Sequence, residues 1–253
     1  MLFNPVSLLD KRYLITGAAS GLGKATSILL SKLGAELILV DIDEEGLNDT
    51  SKMCSSNVIK VIINLYDISD LKAKIIDSVS KFGKLNGFVH LAGRPYISPL
   101  KSINEKTTTE VFMLNTYVGI ELAKICTNRK IFAGESGSLV FISSVYGLVG
   151  SAANVGYAMS KSALHGVTKS LAIELAPKNI RVNCIAPGFI KTNMLQKISD
   201  SFNSEYNDTL TKLHPLGLGE ADDVANSVAF LLSDMSKWIT GSIMSVDGGF
   251  TAQ

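Results

Sequence analysis

Cysteine is scarce in this chain: Cys54, Cys126 and Cys184 are odd in number, widely separated and without CxxC spacing. That excludes a disulfide framework or a structural zinc site and sets the expectation of a reducing, cytoplasmic environment. His90, His165 and His214 are equally scattered, so no metal is expected. No sign of charge dominates, since 24 Lys and Arg face 23 Asp and Glu. Without a basic stripe to neutralise phosphates, a nucleic-acid partner is excluded. Apolar runs are cut by Gly, Ser, Asn, Lys or Asp well before the roughly 18 residues that a membrane span needs. A membrane location is therefore excluded, although the mean hydropathy is +0.26. The opening Met1–Val6 has no basic segment before an apolar one, so no secretory leader is expected.

What is present is a 46% hydrophobic chain of 253 residues in which short β-branched runs alternate with longer helical patterns. Strands are predicted at Arg12–Thr16, Glu36–Asp41, Val58–Leu65, Leu85–Ala92, Ser138–Ser143, Arg181–Ala186 and Ser242–Val246. Helices are predicted near 22–33, 43–53, 69–82, 103–129, 154–176 and 221–233. Runs such as Leu37–Val40 and Leu139–Ile142 are apolar without alternation, as strands covered on both faces must be. The pattern gives an α/β fold, a doubly wound seven-stranded parallel sheet with helices on both faces. No linker or composition break divides it, so residues 1–253 read as one domain. Binding loops belong at the carboxyl ends of such strands.

The first predicted strand ends in Thr16–Gly23, TGAASGLG, and a helix follows at once. Gly17, Gly21 and Gly23 allow a tight turn and a close backbone approach to a pyrophosphate, while Ser20, Leu22 and the helix N-terminus supply N–H groups. A P-loop fails on spacing, because Ala18 stands where its first glycine would fall and Ala25 where a hydroxyl must reach magnesium. Asp41 ends the second strand, 18 residues past Gly23, where a carboxylate accepts from an adenosine ribose and repels a 2′-phosphate. NAD(H) is therefore favoured over NADP(H). A competing role for Asp41 or Asp43 is to cap the next helix. Asp67 either accepts from the adenine amino group or begins a turn.

Tyr157 and Lys161 stand four apart on a predicted helix and share one face. A tyrosine serves as general acid/base near neutral pH when a neighbouring ammonium lowers its pKa. The pair alone is weak, since chance supplies one in about half of chains of this composition. Ser143 and Ser144 strengthen it, closing the fifth strand 13 residues before Tyr157, where a hydroxyl can hold a substrate oxygen. Neither serine has the GxSxG flanks of a hydrolase nucleophile.

With these residues assembled, the chain resembles the short-chain dehydrogenase/reductase family over almost its whole length, and its 3-oxoacyl-ACP reductase-like members in overall look. The resemblance rests on Thr16–Gly23, Asp41, Asp67, Asn115, Ser144, Tyr157–Lys161, Pro187–Thr192, Ile239–Ser242 and Val246–Gly249. It implies a Rossmann fold and an NAD(P)-dependent oxidoreductase interconverting a secondary alcohol and a ketone. Tyr157 would exchange the proton, Ser144 would orient the substrate oxygen, and Lys161 would hold the nicotinamide ribose. Asn115 would kink the long fourth helix and anchor a proton-relaying water. Ile68, Ala92, Gly93, Pro187 and Gly188 join the cofactor contacts, with Ile190 and Thr192 at the carboxamide. His90-Leu91-Ala92-Gly93 departs from the family's Asn-Asn-Ala-Gly, so the bonds that brace the central sheet must be made otherwise. Ser20 stands where many acyl-carrier-protein reductases of the family carry Arg and use NADPH.

Substrate is expected between Arg94–Ser98, Val145–Gly156 and the stretch Asn193–His214, which reads as a mobile lid. Arg94 is either an anion contact or a solvated loop residue. A 3-oxoacyl thioester, a sugar or polyol and another secondary alcohol all stay open as substrates. Outside that class stand a catalytically silent dinucleotide sensor and a nucleotide-sugar epimerase, the latter short of carboxyl-terminal sequence. Apolar positions around much of the helices near 103–129 and 154–176 lead us to expect a homodimer or homotetramer formed through them.

Overall fold

Each central strand has to bury both of its faces, and two separate cores result. The computed structural model describes residues 5–134, 136–192, 195 and 209–252. Among these, β1 (Arg12–Thr16), β2 (Glu36–Asp41), β3 (Val58–Ile62), β4 (Gly87–His90), β5 (Gly137–Ile142), β6 (Ile180–Pro187) and β7 (Ile243–Val246) form one sheet. Its order is β3-β2-β1-β4-β5-β6-β7 and every pairing is parallel. Successive side chains of a strand point to opposite faces. Leu14, Ile38, Phe88, Leu139 and Val182 accordingly enter one core, and Ile15, Leu39, Val89, Val140 and Ile185 the other.

The first core is closed by α3 (Ile68–Phe82), α5 (Val118–Cys126) and α6 (Val155–Leu175), through Leu71, Ile75, Leu122 and Leu164. The second is closed by α1 (Gly21–Lys32), α2 (Glu44–Met53) and α7 (Ala221–Leu232), through Leu30, Leu47, Val224 and Val228. The predicted doubly wound sheet is thus present, with the first two strands bounded as expected. No described helix is long and apolar enough to cross a membrane.

Three boundaries differ in ways that shape the site. The third strand ends at Ile62, not Leu65, so Ile63–Leu65 are released to the end of the sheet. The fourth ends at His90 because the N–H groups of Leu91 and Ala92 donate to Thr16 Oγ1 (3.2 Å each) instead of joining a ladder. The helix expected over 103–129 is α4 (Glu105–Phe112) and α5 joined by a π-helical turn at Met113–Tyr117. That turn carries Asn115, at the position where the family resemblance implies a kink. At the opposite end of the sheet, beside Asn179, Ile180 and Arg181, the single tryptophan Trp238 is 97% exposed.

Candidate active site

A cleft of about 740 Å³ opens across the carboxyl ends of β1 to β6. Its volume is in the range of small-molecule and cofactor sites. The half over β1–β3 is built mainly from backbone. Gly17 (φ +71°) takes a left-handed conformation that favours glycine, and a Cβ there would lie 2.8 Å from Ala92 N. A Cβ on Gly23 would meet Gly17 O at 1.9 Å, so α1 leaves the turn without a side chain between them. Helices α2, α3 and α4 open on capping side chains from Asp43, Asp67 and Asn104. Ser20 makes no such bond at α1, whose first residues Gly21, Leu22 and Gly23 line the cleft. An uncapped helix start facing a cavity fits a phosphate group of a dinucleotide.

Asp41 also lines this half. It does not cap α2, a role taken by Asp43 through Gly46 N (3.0 Å). Its carboxylate accepts instead from Ala19 N (3.1 Å), Ile42 N (2.7 Å) and Asp43 N (3.2 Å), which fixes it at the strand end. Two residues expected at the cofactor, Asp67 and Ile68, stand outside the cleft lining. Asp67 accepts from Asp70 N (3.0 Å) and Ser69 Oγ (2.8 Å), bonds that hold its carboxyl below the usual range, and neither it nor Ile68 lines the cleft. Asn64 and Leu65 line it in their place, because the strand ends three residues earlier than the sequence pattern suggests.

The half over β4–β6 is built from side chains. Asn115 is fully buried in the π turn; its Oδ1 accepts from Arg94 N (2.9 Å) and its Nδ2 donates to Arg94 O (3.1 Å) and Ser160 Oγ (3.0 Å). Ser160 Oγ in turn donates to Tyr157 O (2.7 Å) on α6. Lys161, 6% exposed, donates from Nζ to Ile142 O (2.8 Å). Ser144 follows β5, accepts from Tyr146 N (3.2 Å) and hydrogen-bonds the side chain of Tyr157. Gly93 sits where these groups converge, since a Cβ there would be 3.0 Å from Asn115 Oδ1 and 3.4 Å from Lys161 Nζ.

The electrostatics differ from the expected depression of the tyrosine. Desolvation raises the Tyr157 pKa, and the Ser144 hydrogen bond only partly offsets it. The Lys161 ammonium is 5.8 Å from the Tyr157 ring centre, and its own pKa is pushed down to about 8 by burial. In the chain by itself Tyr157 is therefore held protonated, ready to donate.

Arg94 is a loop residue whose side chain is 40% exposed, but it is not a free cation. Its Nη2 pairs with Glu110 Oε2 at 3.1 Å while the residue lines the cleft. Ala92, Pro187, Gly188, Ile190 and Thr192 line it as expected, as does Tyr146 of the stretch Val145–Gly156, and Leu91 joins them. The proposed lid falls mainly on residues outside those described; Leu195, Thr209, Leu210 and Leu213, which are described, line the cleft. Among the described residues no group of three or more side chains could hold a metal ion.

A family model described as enoyl-(acyl carrier protein) reductase matches residues 17–251, which takes in both halves of the cleft. The chain belongs to the short-chain dehydrogenase/reductase family. It is 36% identical over 246 residues to the 3-oxoacyl-[acyl-carrier-protein] reductase FabG of Thermotoga maritima, covering 96% of this chain and 98% of that one. It is likewise 36% identical over 250 residues to the short-chain dehydrogenase/reductase aba4 of Botryotinia fuckeliana, covering 95% and 96%. A solved structure from Agrobacterium tumefaciens, described as a 2-deoxy-D-gluconate 3-dehydrogenase with bound NADP, matches with a TM-score of 0.89 at 30% identity. That match covers 99% of this chain and 100% of the other. The family is one of oxidoreductases that use a nicotinamide dinucleotide, and the seven-stranded parallel sheet is its fold.

Proposed function

We propose that this short-chain dehydrogenase/reductase interconverts a ketone and a secondary alcohol with NAD(H), in the manner of a 3-oxoacyl reductase. Bound in the cleft, NAD(H) supplies or accepts the hydride. Tyr157 Oη gives its proton to the carbonyl oxygen during reduction and takes it back during oxidation. Ser144 Oγ holds that oxygen as charge develops on it. Lys161 stands one helical turn beyond Tyr157, where its ammonium favours the phenolate left after the proton has gone. Asn115, tied to α6 through Ser160, fixes the distance between this group and the β4 loop.

The cofactor choice rests on one observation: around Asp41 the described cleft residues Ser20, Ile42, Asn64, Leu65 and Tyr66 carry no positive charge to meet a 2′-phosphate. The Agrobacterium protein was solved with NADP, so the choice is put to direct test. Titrating NADH and NADPH under identical conditions gives the tighter binding to NADH. Tighter NADPH binding overturns the assignment.

The substrate end supports an acyl or other apolar ketone over a sugar, because its walls include Ile97, Ala152, Ala153, Phe189, Leu210 and Leu213. Self-association through α4–α6 belongs to the same reading. On α6, Val155 is 54%, Met159 44% and Ile173 78% exposed in the single chain, apolar surface that a second copy would cover. A monomer in sedimentation at micromolar concentration would overturn that part.

A further inference from the structure

His90 stands where the family carries an asparagine, and it is 1% exposed. Its ring touches neither the cleft nor solvent, yet both nitrogens are engaged. Nδ1 lies 2.9 Å from Thr16 Oγ1 on β1, and Nε2 lies 3.0 Å from Leu114 O in the π turn. The direction of each bond follows from counting. A hydroxyl has two acceptor sites and one donor. Thr16 Oγ1 already accepts from Leu91 N and Ala92 N, so its proton goes to His90 Nδ1. Nδ1 is then unprotonated, the ring proton is on Nε2, and Nε2–H donates to Leu114 O. Burial agrees with this neutral form, holding the His90 pKa down to about 3.

Space for the ring is made on the facing helix. A Cβ at Gly119 of α5 would lie 3.1 Å from His90 Cδ2 and 2.8 Å from Phe141 Cε1, so α5 can approach only as glycine. Leu114 is the residue before Asn115, and a π turn departs from the regular i→i−4 ladder of the helices on either side. The imidazole supplies a fixed donor to a carbonyl in that turn. We propose that His90 is a positioning residue for catalysis: as the Nε2–H tautomer it ties Thr16 of β1 to the π turn and so sets Asn115 against Arg94 and Ser160. This rests on the reading of Asn115 and Tyr157 given under Proposed function. It also supplies the sheet brace that the absence of the family's paired asparagines requires.

Two substitutions divide the two bonds, because an asparagine amide reproduces the reach of Nδ1 and a glutamine amide that of Nε2. His90→Asn keeps an acceptor for Thr16 and loses the donor to Leu114 O. His90→Gln keeps the donor and loses the acceptor. The expected result is a kcat about tenfold lower in His90→Asn with the KM for NADH changed less than about twofold, and a kcat largely recovered in His90→Gln. Equal kcat losses in the two variants, or none in His90→Asn, overturn the proposal. Should either variant fail to fold, ¹⁵N chemical shifts of the wild-type histidines decide. His90 must show an unprotonated Nδ1 and a protonated Nε2 unchanged from pH 6 to 9, and a protonated Nδ1 overturns the assignment. Tyr157→Phe separates the two readings: activity surviving in that variant removes the proposed reaction while leaving the His90 tautomer to be judged by its own spectrum.

Discussion

The two halves of the cleft are made of different material. Over β1–β3 the binding surface is mostly backbone: glycines without room for a Cβ, an uncapped helix start, and one carboxylate fixed by three N–H groups. Over β4–β6 it is a largely buried set of polar side chains: Asn115 is bonded to Ser160 and Ser160 to Tyr157 O, Ser144 bonds the Tyr157 side chain, and Lys161 is held by Ile142 O. Backbone surfaces hold a ligand without discriminating much among its chemical states, so changes there should appear in affinity. Buried side-chain networks set proton positions and reacting distances, so changes there should appear in rate.

Three perturbations test that division, the largest effect first. Tyr157→Phe removes the exchangeable proton while leaving the ring, and kcat should fall by about 10³-fold with NADH affinity retained. A parallel loss of NADH binding would show that the halves are not separable. Asp41→Ala, in the other half, should narrow the preference for NADH over NADPH by about tenfold with little change in kcat. A tenfold loss of kcat with the preference intact would reverse the division of roles. The third effect is on stability. Burial pushes Lys161 from 10.5 down to about 8, so between these values the unfolded chain holds a proton that the folded chain has released. The stability of the wild type relative to Lys161→Met should therefore rise as pH increases through that window and be lowest below pH 8. Denaturant midpoints for both proteins at pH 7.5 and 10 check this, and a flat or falling difference rejects it.

The same contrast governs how much could be read from the sequence. The backbone half is local: strand, glycine turn and helix are contiguous, and β1 and β2 were bounded correctly because apolar runs with sharp polar ends leave little choice. Its one error has a local cause too. Val58–Leu65 keeps a strand-like pattern past Ile62, whereas the strand ends there and leaves Asn64 and Leu65 on the cleft wall. The half over β4–β6 is non-local. Asn115 and Ser160 lie 45 residues apart in sequence, and Thr16 and His90 lie 74 apart. Motif spacing identifies such residues one at a time and gives no information on which bonds join them. The ion pair of Arg94 with Glu110, the donor of His90 and the raised pKa of Tyr157 all depend on what the fold brings alongside.

Trp238 has an optical consequence. It is the only indole in the chain, and it stands on the rim of the sheet away from the cleft, where water surrounds it. The intrinsic emission of an isolated copy is therefore that of a hydrated indole, insensitive to packing at Tyr157 or His90. Any surface that covers that rim shifts the emission to shorter wavelength, so the chain carries a built-in reporter of contacts at the end where no chemistry takes place.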